Sequence, residues 1–231
     1  MVSILTFPRT LPDVILYCDG FDFQTDTKPS ATNSGVGLIV ENGCPLILAK
    51  YRTPKYFGSN FGTVMGWLDS VKSPPQPVLA WDVRHPHPLA YPNGISGMTR
   101  AGGGAFDGTC KLAAVDTDGY RLTLGASGGY LPDGFQLGPG DPLSLDWDES
   151  GGKSRRAYHR VSSVLAAANS SGVLQVEVRP ATVGTYTTGV TVYLDKPCFK
   201  GYLVPGTDES PTSGDQVGVF KFQIKQDMRR L

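Results

Sequence analysis

Between Leu137 and Pro180 the sequence reads LGPGDPLSLDW and then RRAYHRVSSVLAAANSSGVLQVEVRP, strand-forming runs broken by turn residues and carrying no sustained helical period. A Pro-Gly-Asp turn opens the stretch. Two runs rich in β-branched and aromatic residues follow, and Asn169-Ser170-Ser171-Gly172 reverses the chain before Val173-Leu174-Gln175-Val176-Glu177-Val178. A chain with such a centre is confined to β architectures. Nothing in the stretch has the layout of an active site, so it reads as building material for assembly.

Composition extends this to the whole chain. With 29 glycines and 18 prolines among 231 residues, a helical bundle is excluded, while 40% hydrophobic content is too high for disorder. The 21 basic and 21 acidic residues cancel, leaving no global field to capture nucleic acid or an anionic membrane. Pro8, Arg9 and Pro12 interrupt the apolar start of the chain, so no secretion signal is expected there, and no apolar run reaches the roughly 18 residues of a membrane helix. Folding in a cytoplasm is the corresponding expectation, with Cys18, Cys44, Cys110 and Cys198 as buried or near-surface thiols and no metal site.

Along the chain, Asp13 to Phe23 reads as a strand and Gln24 to Ser34 as a polar exposed loop. Gly35 to Glu41 and Pro45 to Tyr51 read as a hairpin about Asn42-Gly43. One helix is predicted between Asn60 and Lys72, because Val64, Trp67, Leu68 and Val71 share a face and Pro74-Pro75 forbid continuation. Trp67 is then a buried anchor. Val78 to Val83 is a strand, and the glycine-rich Gly94 to Asp107 reads as a flexible crossing between modules. A second module begins at Thr109 with two strands about Asp116-Thr117-Asp118-Gly119. Gly189 to Leu194, Phe199 to Val204 and Val217 to Gln226 are further strands, the last alternating apolar and polar side chains and returning to pair with the N-terminal sheet. The fold expected is mainly β: a discontinuous β-sandwich domain with one short helix, formed by 1–100 and 187–231, plus an inserted β-barrel-like module at 101–186.

Each chemically suggestive group has a plainer structural reading. His85 and His87 have a spacing that places both on one face of a strand, yet Pro86 and Pro88 break the ladder and no third ligand follows. Gly102-Gly103-Gly104 lacks the lysine and helix of a phosphate loop. The Asp116–Gly119 turn has too few ligands for calcium. Ser127 stands in GASGGY with no helix after it, unlike a nucleophile elbow. Asp146, Asp148 and Glu149 could pair as carboxylates but fall in an acidic turn. Arg155, Arg156, His159 and Arg160 form a basic cluster suited to a subunit seam and too small for nucleic acid. No catalytic residue, metal ligand or cofactor site is assigned.

Taken in order, LILAKYRTP, the helix VMGWLDSV, LAWDVRHPHPLAYP, GGYLPDGFQLGPGDPLSLDW, RAYHRVSSVLAAANSSGVLQVEVRPA, VTVYLDKPCFKGYLVP and the terminal FKFQIKQDMR resemble the distal tail proteins of long-tailed, siphovirus-like bacteriophages. The likeness is a pattern of segments over most of the chain, without an invariant chemical motif. It implies a structural ring, usually of six copies, at the tail tip of the virion, assembled in the bacterial host cytoplasm. Its partners would be sister copies, the tail tube protein, and the hub or baseplate with its fibre proteins. DNA would pass through the lumen without specific binding, and no membrane is involved. The segments Thr25 to Ser34 and Pro205 to Gln216 are candidate arms between copies. Two other classes are weighed beside it. One is a carbohydrate-binding module presenting Tyr120, Tyr130, Phe135, Trp147 or Tyr158. The other is a wall-degrading hydrolase, for which no nucleophile, base and orienter can be named.

Overall fold

A computed structural model of the chain describes residues 7–24, 27–31, 37–41, 45–149, 153–164, 167–182, 188–209 and 217–227. In chain order the elements are β1 (Arg9–Thr10), β2 (Tyr17–Gln24), β3 (Thr27–Ala31), β4 (Gly37–Glu41), β5 (Leu46–Arg52), β6 (Tyr56–Phe57), α1 (Ser59–Lys72) and β7 (Val78–Trp81). There follow β8 (Thr109–Val115), β9 (Arg121–Leu124), β10 (Pro142–Glu149), β11 (Lys153–Val164), β12 (Leu174–Arg179), β13 (Thr191–Tyr193), β14 (Cys198–Leu203), β15 (Val217–Gly218) and β16 (Lys221–Gln226). The protein is mainly β with one helix among the described residues, a closed six-stranded barrel and additional sheets.

Two compact units divide the chain: Met1–Val78 with Gly201–Leu231, and Leu79–Lys200. The backbone leaves the first within β7 and returns to it within β14.

The first unit is organised by a six-stranded sheet ordered β1-β7-β14-β16-β5-β2, in which the terminal strand β16 pairs antiparallel with β5 and β14. On the helix, Phe61, Val64, Trp67, Leu68 and Val71 are buried, one stripe at the spacing the sequence displays. Burial of these five side chains contributes on the order of 10 kcal/mol before entropy is charged against it. Phe61 packs on Phe220 with ring centroids 4.9 Å apart and Trp67 on Phe222 at 5.4 Å, so the helix is held by the last strand region. The Trp67 indole N–H donates to the Thr10 carbonyl at 2.8 Å, which makes this residue the buried anchor expected of it. No side chain caps the helix at Gly58, and Ser73 ends it in extended conformation before Pro74. Packing therefore stabilises α1 where propensity does not.

Two sequence expectations in this unit are corrected. Thr27 to Ala31, read as loop, is strand β3, and β4 pairs with β3 and not with β5. Pro29 is tolerated because a two-stranded ribbon leaves outward N–H positions vacant. In turn β5 lies between β16 and β2, and so both its edges are taken by other strands. The turn residues Asn42 and Gly43 lie outside the described residues.

The second unit is built on a closed barrel ordered β10-β11-β12-β9-β8-β13. Leu112, Leu122, Leu124, Leu143, Leu145, Val161, Leu174, Val176, Val178 and Val192 alternate inward from its strands and fill the centre with aliphatic volume. Bulges at Val161/Ser163 in β11 and Leu112/Ala114 in β8 supply curvature for closure. At one seam Gly125 and Gly172 touch backbone to backbone: a Cβ on Gly125 would lie 2.0 Å from the Gly172 carbonyl oxygen, and both glycines have positive φ.

The compact unit that holds the barrel is wider than the 101–186 expected for the inserted module. Gly94 to Asp107 is no crossing between modules, since Ile95 and Phe106 are in the barrel core and Tyr91 stacks on Phe135 at 4.9 Å. Arg100 fixes the same stretch, donating to the Thr109 and Tyr130 carbonyls at 2.8 and 2.9 Å. Likewise β13 lies in the barrel, pairing with β8 and β10, and not in the discontinuous domain of 1–100 and 187–231 where the sequence alone puts its residues.

Candidate functional site

A polar cluster in the second unit sits on the outer face of the barrel, where antiparallel register brings Asp146 opposite Arg156 and Ser144 opposite Tyr193. Arg156 donates to both Asp146 carboxylate oxygens at 3.2 and 2.9 Å, and to the Cys198 sulfur at 2.8 Å. Its guanidinium also lies 4.1 Å above the Tyr193 ring, whose hydroxyl donates to Asp146. Burial opposes the charge on Arg156, but Asp146 and Cys198 outweigh it and hold the group above its ordinary pKa. Burial pushes the Cys198 thiol up in spite of Arg156, and the Tyr193 hydroxyl is raised by burial with help from Asp146. At neutral pH the thiol is protonated, and the guanidinium is bound on three sides, by both Asp146 oxygens and by Cys198. The cluster is therefore a clasp between β10, β11, β13 and Cys198, whose thiol is held in its protonated, weakly nucleophilic form.

His159, expected in the surface basic cluster, points inward from β11 beside Leu143 of β10 and is buried. One ring nitrogen, Nδ1, lies 2.9 Å from the Pro180 carbonyl, and Nε2 has no partner among the described residues. Burial lowers its pKa to about 4, against a small upward pull from that carbonyl, so the imidazole is neutral at neutral pH. Outward-facing Arg156 belongs to the clasp. The side chains of Arg155, Trp147, Asp148 and Glu149 lie outside the described residues.

His85 and His87 do not converge. His87 meets the Asp195 carboxylate at 2.5 Å, while the His85 backbone N–H donates to the Asp82 carbonyl in a turn. The Asp82 carboxyl, although burial works against its charge, is held below its ordinary value by hydrogen bonds from Arg84. In the Asp116–Gly119 turn both carboxylates are consumed locally: Asp116 accepts from the Thr117 N–H and Asp118 from the Tyr120 N–H. Ser127 and Gly102 to Gly104 are exposed turn residues. Cys18, Cys110 and Cys198 are buried thiols, Cys110 pushed up to about 12 by burial, and Cys44 lies outside the described residues. Among the described residues no group of three or more His, Cys, Asp or Glu side chains could hold a metal ion.

The aromatics weighed for sugar stacking are largely occupied. Phe135 and Tyr158 are core residues, and the Arg179 guanidinium lies 4.0 Å over the Tyr120 ring.

A different kind of surface lies on the first unit. Ile15, Tyr17, Phe57 and Val219 are exposed, Phe57 by 73% and Ile15 by 64%. Strand register gathers them at one end of the sheet: Tyr17 and Lys221 both pair with Arg52, and just beyond, Thr53 exchanges hydrogen bonds with Phe220. The Tyr56 hydroxyl donates to the Ile15 carbonyl at 2.9 Å, and Phe57 pairs with Val217. Together with Arg52, whose guanidinium lies 5.1 Å over the Tyr17 ring, they make up one exposed end of the sheet. Sequence reading missed it because an isolated apolar residue beside a buried one carries no mark of exposure; the short Lys55-Tyr56-Phe57-Gly58 run before the helix is the one local hint.

Among the described residues no helix is long and apolar enough to cross a membrane. Compared with protein-family models and with curated proteins, the chain has no match in either set.

Proposed function

We propose that this chain is a structural, non-catalytic ring subunit of a bacteriophage tail tip, joining the tail tube to the hub or baseplate and its fibres. The observation that carries the reading is where apolar surface remains uncovered. Of the eight large hydrophobic residues exposed among the described residues, Phe7, Ile15, Tyr17, Phe57, Met65 and Val219 lie in the discontinuous sheet unit, and only Leu89 and Tyr120 in the barrel unit. Apolar residues concentrated on one unit suit association with sister copies. The polar clusters that would serve chemistry are instead closed on themselves, as the Arg156 clasp illustrates. A formal charge of zero suits a conduit through which DNA must slide without being held.

Light scattering after size-exclusion chromatography, with electron microscopy of the same fractions, tests the proposal. The chain alone at rising concentration, or mixed with tail tube and hub proteins, should give closed rings of fixed copy number. A monomer under every one of these conditions overturns it.

A further inference from the structure

Asn93-Gly94 is one of two Asn-Gly pairs in the chain, the other being Asn42-Gly43. Such a pair can cyclise without a catalyst, because glycine has no side chain to shield its amide nitrogen from the asparagine carboxamide. The Gly94 nitrogen attacks Asn93 Cγ, the new N–C bond forming as the Cγ–Nδ2 bond breaks, and the backbone amide proton departs with the ammonia. Water then opens the imide at either carbonyl, leaving an aspartyl or an isoaspartyl residue at position 93. Asn93 is exposed, so water reaches it.

The fold holds the pair in a shape that opposes this step. The Gly94 N–H donates to the Tyr91 carbonyl at 2.9 Å, closing a turn with Pro92 and Asn93 at its centre. Pro92 fixes its own φ, and Asn93 is not among the residues with positive φ, so the turn is of type I, in which the third residue has ψ near zero. That ψ turns the Gly94 nitrogen away from Asn93 Cβ, whereas ring closure needs the two side by side. The proton that must leave is also the one the Tyr91 carbonyl holds. The turn is tied down in its surroundings. Tyr91 stacks on Phe135 at 4.9 Å, its hydroxyl accepts from the Gln136 N–H at 3.0 Å, and its own N–H donates to the Pro88 carbonyl at 2.8 Å. Ile95, the next residue after the pair, is in the barrel core. His87, held by Asp195 at 2.5 Å, lies beside the open side of Gly94, where a Cβ would be 3.6 Å from its ring.

We propose that Asn93 is a latent deamidation site, guarded by this turn and open to reaction only when residues 91–95 come away from the barrel core. The site stands apart from the ring reading and does not depend on it. Its rate in the folded protein is the rate of the unrestrained pair multiplied by the fraction of chains in which the turn is open, so the chemistry counts local openings. An isoaspartyl product places one further carbon in the main chain directly before Gly94, beside the His87 ring. A chain that has opened and reacted in this way does not regain the Tyr91–Gly94 bond in its original geometry.

The test incubates the full chain in mildly alkaline buffer, folded and in guanidinium chloride, and follows the amide-to-acid mass gain by peptide mapping, which separates Asn93 from Asn42. Conversion at Asn93 should be at least about tenfold faster in denaturant than in the folded protein. Asn93→Gln should remove the mass gain from that peptide. Two variants loosen the guard: Pro92→Gly frees φ at the second position of the turn, and Tyr91→Phe removes the hydroxyl that accepts from Gln136. Each should raise the folded-state rate at Asn93 by about threefold or more, with the rate in denaturant unchanged and far-ultraviolet circular dichroism as in wild type. Equal rates in the folded protein and in denaturant would overturn the proposal, because the turn would then guard nothing. So would a folded-state rate that neither variant moves, or an Asn93 that fails to convert even in denaturant.

Discussion

His159 offers the sharpest test of how the barrel interior is built. A buried imidazole whose Nε2 has no partner among the described residues is stable only while neutral, because protonation would place an uncompensated charge among Leu143, Val161 and their neighbours. In the native state the group takes a proton only near pH 4, against 6.5 in the unfolded chain. The unfolded state therefore binds the extra proton first. Stability is full above pH 6.5 and is lost as pH falls from 6.5 towards 4. A difference of this size corresponds to roughly 3 kcal/mol in all, of which between about 2 and 3 kcal/mol is already gone at pH 4.5. That is a large share of the stability of an ordinary domain.

Among the described residues, the carboxyls held below their ordinary pKa act on the acid side of this window. Asp82 and Asp107 are held below their ordinary value of 3.8, each against the opposing effect of burial, by Arg84 and by Thr109 with Arg100 respectively. What they contribute is present above pH 3.8 and begins to be lost only below it. Urea unfolding of wild type and His159→Gln at pH 7.5 and 4.5 separates the effects. The variant should be less stable at neutral pH, through imperfect packing and an altered bond to Pro180, but should lose about 2 kcal/mol less than wild type on acidification. Parallel losses in the two proteins would refute the argument.

Three further outcomes follow from the same geometry. Gly125→Ala, whose new methyl would meet the Gly172 carbonyl at 2.0 Å with φ at +93°, should cost at least about 3 kcal/mol, whereas Gly103→Ala, with open space and a similar φ, should cost about 1 kcal/mol; both are read by urea denaturation. Arg156→Met should destabilise by about 2 kcal/mol by leaving Asp146 partly buried and unpaired, and the double variant with Asp146→Asn should recover much of that, a coupling measurable by a double-mutant cycle. Thiol labelling at pH 8 followed by peptide mapping should spare Cys110 and Cys198 in the native protein and modify both in urea, because burial holds each thiol protonated and out of reach.

Features written in neighbouring residues were legible from sequence. The helix was, because Val64, Trp67, Leu68 and Val71 announce a face and Pro74-Pro75 an end. So was the Asp116–Gly119 turn, and so was the strand-rich character of the β10–β11–β12 stretch, except that Asp146, Asp148 and Glu149, read as an acidic turn, belong to strand β10, which runs on to Glu149. Partner choice was not. The run Pro45 to Tyr51 has the same alternation whether it pairs with β4 or lies between β2 and β16, and the decision belongs in part to the terminal strand, whose Lys221 pairs with Arg52. Nor could Gly94 to Asp107 declare itself core, since two buried side chains, Ile95 and Phe106, tie it to the barrel amid many glycines. His159 reads as a cation in sequence because its neighbours Arg156 and Arg160 do; the strand's two-residue period sends it to the other face.

The treatment of sheet edges bears on how copies of this chain can meet. The barrel has none, since closure pairs every strand on both sides. The outer sheet ends in β1, only two residues long, and in β2, which carries a bulge between Cys18 and Gly20 and exposes Asp19 and Asp22. A short strand, a bulge and outward carboxylates all oppose strand-to-strand growth. Backbone pairing along β2 is thus disfavoured. Any contact between copies would then fall to side-chain surfaces. Open-ended filaments growing through β2, detectable by thioflavin fluorescence and electron microscopy, would show that the edge devices fail.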